Sequence, residues 1–292
     1  MKKCILYLFT ACFLLTACNK ENAHVNNEPA RPRLNAQDSL AIVAFYHSMK
    51  CAEWKEPFHW DLKDYTTWGG VTVVLDPETN EYRVTEIETP FDSRYYLPAG
   101  YSLPAELGNL SCLRYLIVWG DSRAQGGIPP EIFNCPLEYL HIEGKANGEK
   151  NKGFYGSIPK EIGKAGDTMK WVYIVNTNIG GEIPEEIASL QHLRTPLYLY
   201  GNEFMGKVPL CLRKLPVVTS LYDNYFTEMD WRYYTEYIGY VPDLNDNCLS
   251  GDIPAEVLDT ERWKKFQLRI ENQRTGYGYN CIFRRIPVQH FR

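Results

Sequence analysis

The 292-residue sequence has room for one large domain or two small ones, and its net charge of −5 lacks the basic footprint of a nucleic-acid binder. Hydrophobic residues at 45% and charged residues at 23% describe a soluble globular protein. Aromatic residues reach 14%, with 21 Tyr and 7 Trp, an excess that needs a use.

The chain opens on "MKKCILYLFTACFLLTAC". Lys2 and Lys3 precede an apolar run from Ile5 to Leu15, the length of a signal-peptide core and short for a transmembrane helix. Leu15-Thr16-Ala17-Cys18 resembles a bacterial lipobox. The resemblance implies a lipoprotein signal peptide over 1–17, lipidation of Cys18, and an outer-membrane lipoprotein. Loss of Lys2 and Lys3 would take the charge from −5 to −7. Residues 18–35, polar with two prolines, read as a flexible tether. Lys20 and Glu21 loosely resemble export signals of surface lipoproteins in Bacteroides-like bacteria, which points to the cell surface, with the periplasmic face as the alternative.

Beyond Cys18 six cysteines remain: Cys51, Cys112, Cys135, Cys211, Cys248 and Cys281. None forms a CxxC pair, so no metal site is expected, and buried free thiols are the expected state for most. No cofactor is expected either.

Residues 36–92 form the first structural segment. Residues 35–54 read as an amphipathic helix with Leu40, Val43, Ala44 and His47 near one face, and 68–88 as two strands around a turn at Asp76–Asn80. Packed aromatics, Trp54, Trp60 and Trp68, are expected to hold this segment together.

From residue 93 to 262 a phrase recurs: "SLPAEL", "GGIPPEI", "GSIPKEI", "GEIPEEI", "GKVPLCL" and "GDIPAEV". Their prolines, Pro104, Pro129, Pro159, Pro184, Pro209 and Pro254, are spaced by 25, 30, 25, 25 and 45 residues. The interval of 30 holds an insertion at 145–153, and the interval of 45 hides one more unit containing the stretch 228–240. Between the phrases lie alternating segments that read as strands: 113–119, 137–143, 169–175, 193–200, 217–223 and 240–246. A last one at 263–270 would close the stack, within a C-terminal cap over 263–292. Leu116, Val118, Val172 and Ile174 point inward under this alternation.

The pattern L-x-x-L-x-L-x-x-N-x-L-x-G-x-I-P, best kept in "MKWVYIVNTNIGGEIP" and "LYLYGNEFMGKVP", resembles the plant-type leucine-rich repeat. The resemblance implies an α/β solenoid, a curved stack of repeats with a parallel concave β-sheet, and makes residues 36–92 an N-terminal helix/strand cap. In that cap Trp68, Gly70, Val71 and Arg83-Val84-Thr85 match the plant pattern, while its paired cysteines are missing, Val73 standing where one is expected. Asn202, Asn224 and Asn247 take the repeat's asparagine position and Thr177 fills it in another copy. There a buried amide can bond backbone groups of adjacent turns.

The other strand positions form the outward face. They are Tyr115, Ile117, Trp119, Tyr139, His141, Glu143, Trp171, Tyr173, Val175, Tyr198, Tyr200, Ser220, Tyr222, Asp243, Asn245, Gln267 and Arg269. Eight of the seventeen are Trp or Tyr, more than a solvated face needs. The rings either pack on one another across strands or bind a ligand. The candidate ligand-binding residues are Tyr115, Trp119, Tyr139, His141, Trp171, Tyr173, Tyr198, Tyr200 and Tyr222. Asp243, Asn245, Lys265 and Arg269 make the far end polar. The stretch 228–240, with Trp231, Tyr233, Tyr234, Tyr237 and Tyr240, either covers this face or forms a satellite core.

Catalytic motifs are missing: no GxSxG, no HExxH and no Gly-rich phosphate loop. His141 and Glu143 share a strand face near Cys135, with no third group to orient them. The sequence thus points to a lipid-anchored, non-catalytic binding protein with a protein or peptide partner. A glycan-binding surface lipoprotein and a structural envelope component are the alternatives.

Overall fold

The computed structural model describes residues 32–54, 60–90, 98–144, 153–236 and 238–274. All belong to the second of two units, Pro32–Arg292. The expected signal peptide, Cys18, most of the expected tether, residues 145–152 of the expected insertion, Tyr237 and Cys281 lie outside the described residues.

Helix α1, Ala36–Ser48, begins where the Asn35 side chain accepts from the backbone N–H of Gln37 and Asp38. Its buried face carries Asp38, Ala41, Ile42 and Phe45. That corrects the expected face: Leu40 is 70% exposed and Val43 37%, and His47 is exposed. The periodicity allows both faces; Phe45 decides, because its ring stacks on Trp60 at 5.7 Å. Trp60 stacks in turn on Trp68 at 5.7 Å and meets Trp54 edge-on at 5.6 Å. All three tryptophans are buried, as expected, and each indole N–H donates to a carbonyl: Trp54 to Met49, Trp60 to Gly69, Trp68 to Asp61.

The expected hairpin forms from β2, Val71–Asp76, and β3, Glu81–Glu88, paired antiparallel. Gly70 sets its entry with φ +81°, where a Cβ would stand 2.0 Å from the Glu88 carbonyl oxygen. Strand β1, Arg33–Leu34, expected in the tether, pairs parallel with β3 instead.

The repeats follow. Strands β4 (Tyr115–Trp119), β5 (Tyr139–Glu143), β7 (Trp171–Val175), β9 (Leu197–Tyr198) and β11 (Thr219–Ser220) continue from β3 as one parallel ladder. Strand β9 starts just after Pro196, which has no N–H to give the ladder. Leu116, Val118, Leu140, Ile142, Val172 and Ile174 are fully buried beneath the sheet.

A second, four-stranded sheet is absent from the sequence reading. It is built of β6 (Tyr155–Gly156), β8 (Asn178–Gly181), β10 (Glu203–Lys207) and β12 (Tyr225–Glu228), all parallel. Its strands run through the phrase glycines: Gly181 and Gly206 have φ of +76° and +79° and turn the chain toward the Ile-Pro or Val-Pro pair. After five of the prolines comes a 3₁₀ turn, and after Pro254 a short α-helical one, Ala255–Leu258. Each tucks in the aliphatic residue three positions on, such as Ile187, Leu212 and Val257.

The asparagines knit successive coils. The Asn224 amide donates to the carbonyls of Leu199 and Leu221 at 2.9 and 3.0 Å and accepts from the Phe204 N–H at 3.1 Å. Asn202 and Asn247 repeat this one coil earlier and one later. Thr177 joins the ladder by donating its hydroxyl to Asn202 Oδ1 at 2.7 Å. Gln273, unnoticed in the sequence, ends it: its amide donates to Leu244 and Ile270 carbonyls and accepts from Leu249 N–H.

Two expected strands differ. Residues 240–246 contribute only a bridge between Asp243 and Ser220. Residues 263–270 are helical, Glu261–Phe266 followed by a 3₁₀ turn Gln267–Ile270. The Thr260 hydroxyl caps that helix by accepting from Trp263 N–H, and Trp263 and Phe266 share a face at helical spacing. Gln267 and Arg269 therefore leave the outward strand positions. The fold is an α/β solenoid of the leucine-rich-repeat type.

Candidate functional site

Strand register puts the outward residues of the long sheet into cross-strand rows. One row runs Glu86, Tyr115, Tyr139, Trp171, and the next Glu88, Ile117, His141, Tyr173, Tyr198, Ser220, Asp243. A third begins Trp119, Glu143, Val175. Tyr200 and Tyr222 continue on its side: Asn176 N–H donates to the Tyr200 carbonyl and Gly201 N–H to that of Tyr222. The expected site residues thus come together on one face.

They also pack on one another. His141 meets Trp119 at 4.3 Å and stacks on Tyr173 at 5.2 Å and 18°. Tyr173 stacks on Tyr198 at 4.9 Å and 15°, and Tyr200 on Tyr222 at 4.5 Å and 9°. Tyr139 bridges the rows, 6.3 Å from Tyr115, 6.0 Å from Trp171 and 5.7 Å from Tyr173. A ring sandwiched between neighbours on both adjacent strands, as Tyr173 is, stands on edge and turns its rim and hydroxyl outward. His141, 7% exposed, is the wedge between Trp119 and Tyr173, and Val175 and Ser220 are buried, at 1% and 8%.

Carboxylates border the rings. Glu143 Oε2 lies 3.0 Å from His141 Nε2, and Trp119 Nε1 donates to Glu88 Oε1 at 3.0 Å. Burial raises the Tyr139 and Tyr200 phenols above the ordinary tyrosine value, with Glu88 and Glu143 adding negative charge nearby. Tyr222 is pushed up to about 12 by burial, by its neighbour Tyr200 and by Asp223 and Asp243. On the opposite margin Arg114 and Lys170 both bond Glu138, and the Arg194 guanidinium lies 5.8 Å from the centre of the Trp171 ring. Glu86, Glu88 and Arg194 were missed. Carrying the alternation of β3 back through "VTEIE" identifies both glutamates.

Cys135 does not join His141 and Glu143. Its thiol is buried, donates to the Leu107 carbonyl at 3.2 Å, and is pushed up to about 12 by burial. Within 228–240, Tyr233 and Tyr234 form a satellite core: both are fully buried, and their hydroxyls donate to the carbonyls of Pro209 at 2.7 Å and Phe266 at 3.4 Å, while Ile238 and Tyr240 are exposed. Among the described residues no helix is long and apolar enough to cross a membrane, and no cluster of His, Cys, Asp or Glu has the makings of a metal site.

No protein-family model matches the sequence, nor does any curated protein. Among solved structures it is similar to a plant ice-binding protein, at 21% identity over 76% of this chain and 66% of that one, with a TM-score of 0.55. It is also similar to the PEPR1–AtPEP1 structure, at 20% identity over 75% of this chain and 29% of that one, with a TM-score of 0.52. A third is the leucine-rich-repeat ectodomain of the plant membrane receptor kinase GASSHO1/SCHENGEN3 from Arabidopsis thaliana, at 31% identity over 53% of this chain and 18% of that one, with a TM-score of 0.43. The chain spans less than two thirds of each of these. The likeness is one of fold.

Proposed function

We propose that the chain is a non-catalytic binding protein that recognises a protein or peptide partner through the aromatic face of the long sheet. Tyr115, Trp119, Tyr139, Trp171, Tyr173, Tyr198, Tyr200 and Tyr222 supply the contact surface, with His141 as their wedge. The observation carrying this reading is the run of stacked and edge-on rings along the outward face of the long sheet, whose Tyr and Trp members are all half-buried and so still reach solvent. Repeat proteins bind along such extended surfaces. Rings locked by their neighbours present rigid area and hydroxyls at low entropic cost, which suits a polypeptide. A sugar platform needs open ring faces, and Tyr173, between His141 and Tyr198, has both of its faces covered.

The reading includes a lipid on Cys18 that holds the protein at the outer membrane, displayed at the cell surface. Lipobox and tether support it. Radiolabelled fatty acid carried by the parent and lost with Cys18→Ala tests that part. For the face, the parent chain and a variant with Trp171, Tyr173, Tyr198 and Tyr200 all changed to Ala serve as baits against envelope extract, host secretions and a glycan array. Both are first shown folded by circular dichroism. A protein or peptide held by the parent alone is the expected result. A glycan in its place, or equal capture by both baits, overturns the reading.

A further inference from the structure

The stacked row His141–Tyr173–Tyr198 stops at one position. The next residue in register is Ser220, and the one after is Asp243. Ser220 brings no ring to Tyr198 from the next strand, and the other ring beside Tyr198 is Tyr200 on its own strand, edge-on at 6.2 Å. Two strand spacings separate Tyr198 from Asp243, about 10 Å. Tyr222, two residues beyond Ser220 on the same face, stacks on Tyr200 at 4.5 Å. Asp243 accepts only a long bond from Asn245 N–H, 3.3 Å, and no cation among the described residues pairs with it. Strand register thus sets an aromatic ring on one side of the small Ser220 and, on the other, a carboxylate that pairs with no cation among the described residues, and this break is the recess.

We propose that this recess over Ser220 receives a lysine or arginine side chain of the partner, so that the partner is a basic polypeptide segment. The proposal rests on the aromatic-face reading above and adds the partner's chemistry. A cation sits within about 6 Å of an aromatic centroid and within 4 Å of a paired carboxylate, and the two reaches together fill the gap. Glu86, Glu88 and Glu143 extend negative charge along the same rows. The corresponding cations on the opposite margin, Arg114 and Lys170, are held by Glu138. Asp243 presses on the Tyr222 phenol, as does Asp223, and of the two Asp223 already has a cation in Arg274 at 3.0 Å, which leaves Asp243 for an incoming one. The net charge of −5 steers such a segment toward the protein.

The test uses the full chain in detergent and three pools of synthetic peptides, matched in length and aromatic content and differing in charge: basic, neutral and acidic. Three variants accompany the parent. Asp243→Asn removes the charge, Ser220→Tyr fills the recess by continuing the ring row, and Tyr173→Ala breaks the stack elsewhere. Expected is retention of the basic pool over the others, about tenfold weaker in Asp243→Asn, in Ser220→Tyr and at high salt. Neutral or acidic pools held as tightly as basic ones overturn the proposal. So does a Ser220→Tyr and Asp243→Asn pair that binds like the parent while Tyr173→Ala has lost binding, which leaves the aromatic face standing. No retention of any pool by the folded parent overturns both readings.

Discussion

The Asp38 carboxylate, wholly buried in α1, takes two hydrogen bonds from the Arg83 guanidinium, at 3.0 and 3.1 Å, and a third from the Val84 backbone N–H at 2.8 Å. One side chain thereby ties α1 to β3, the strand from which the parallel ladder continues into β4. The pairing raises the Arg83 pKa, its bonds to Asp38 being the largest cause. Removing one partner leaves the other charge buried without a counter-ion. Asp38→Ala is expected to cost about 3–5 kcal/mol, read as a lower denaturant midpoint. A double change to Asp38→Leu with Arg83→Met should recover part of that loss, the buried Val84 N–H still lacking its acceptor.

This tie was not legible in the sequence, since Asp38 and Arg83 are 45 residues apart and a single charge within a helix is normally solvated. Legible were the features that repeat. The six prolines gave the coil period, and the alternation in "LIVW" and "WVYIV" gave the faces, because a period of two survives in any half-buried strand. Leu40 and Val43 misled because a helix with apolar residues on two sides cannot announce which side the neighbours cover. Residues 263–270 mislead because "WKKFQLRI" fits as the next copy in a series, although Thr260 and the three-residue spacing of Trp263 and Phe266 signal a helix. The site residues were legible as a face, but their stacking depends on rotamers that alternation does not encode.

The asparagine ladder sets a second expectation. Asn224→Ala removes the donor to the Leu199 and Leu221 carbonyls and the acceptor for Phe204 N–H, all buried. A loss of about 3 kcal/mol is expected in urea unfolding. Gln273→Ala, at the partly exposed end of the ladder, should cost under about 1.5 kcal/mol, because Leu244 keeps a bond from Asn247. Equal losses at the two positions would mean that the ladder does not depend on burial.

Thiol chemistry separates the cysteines. Cys51, Cys135 and Cys248 are buried, Cys112 and Cys211 partly exposed. Burial raises the Cys51 thiol strongly and pushes Cys135 up to about 12, so both stay protonated and unreactive near neutral pH. Native alkylation followed by peptide mass spectrometry should modify Cys112 and Cys211 first. The other three should label only with denaturant.

Alkaline pH acts on the ring face. The folded state holds Tyr222 neutral up to about 12 against an unfolded value near 10, and Tyr200 and Tyr139 shift the same way. The fold binds these protons more tightly than the unfolded chain does, so their stabilisation is whole below pH 10 and drains as pH climbs to 12. Phenolate absorbance should show a late-titrating group of tyrosines, and Asp243→Asn should bring Tyr222 forward by removing one of the charges that hold it neutral.

The rings serve the sheet through their faces and would serve a partner through their rims and hydroxyls. Tyr173 touches His141, Tyr139 and Tyr198, so Tyr173→Ala opens a gap in the row and loses stability as well as binding. Tyr173→Phe and Tyr198→Phe keep every ring contact and remove only the outward hydroxyls. If the face recognises a partner through ring rims and hydroxyls, the double Phe variant keeps the parent's unfolding midpoint to within about 0.5 kcal/mol while partner affinity falls about tenfold. Should both affinity and stability stay at the parent's level, the hydroxyls take no part in binding, and the central stack acts on the partner only as a rigid apolar floor. Isothermal calorimetry with the captured partner, beside urea titration of the same two proteins, makes that distinction.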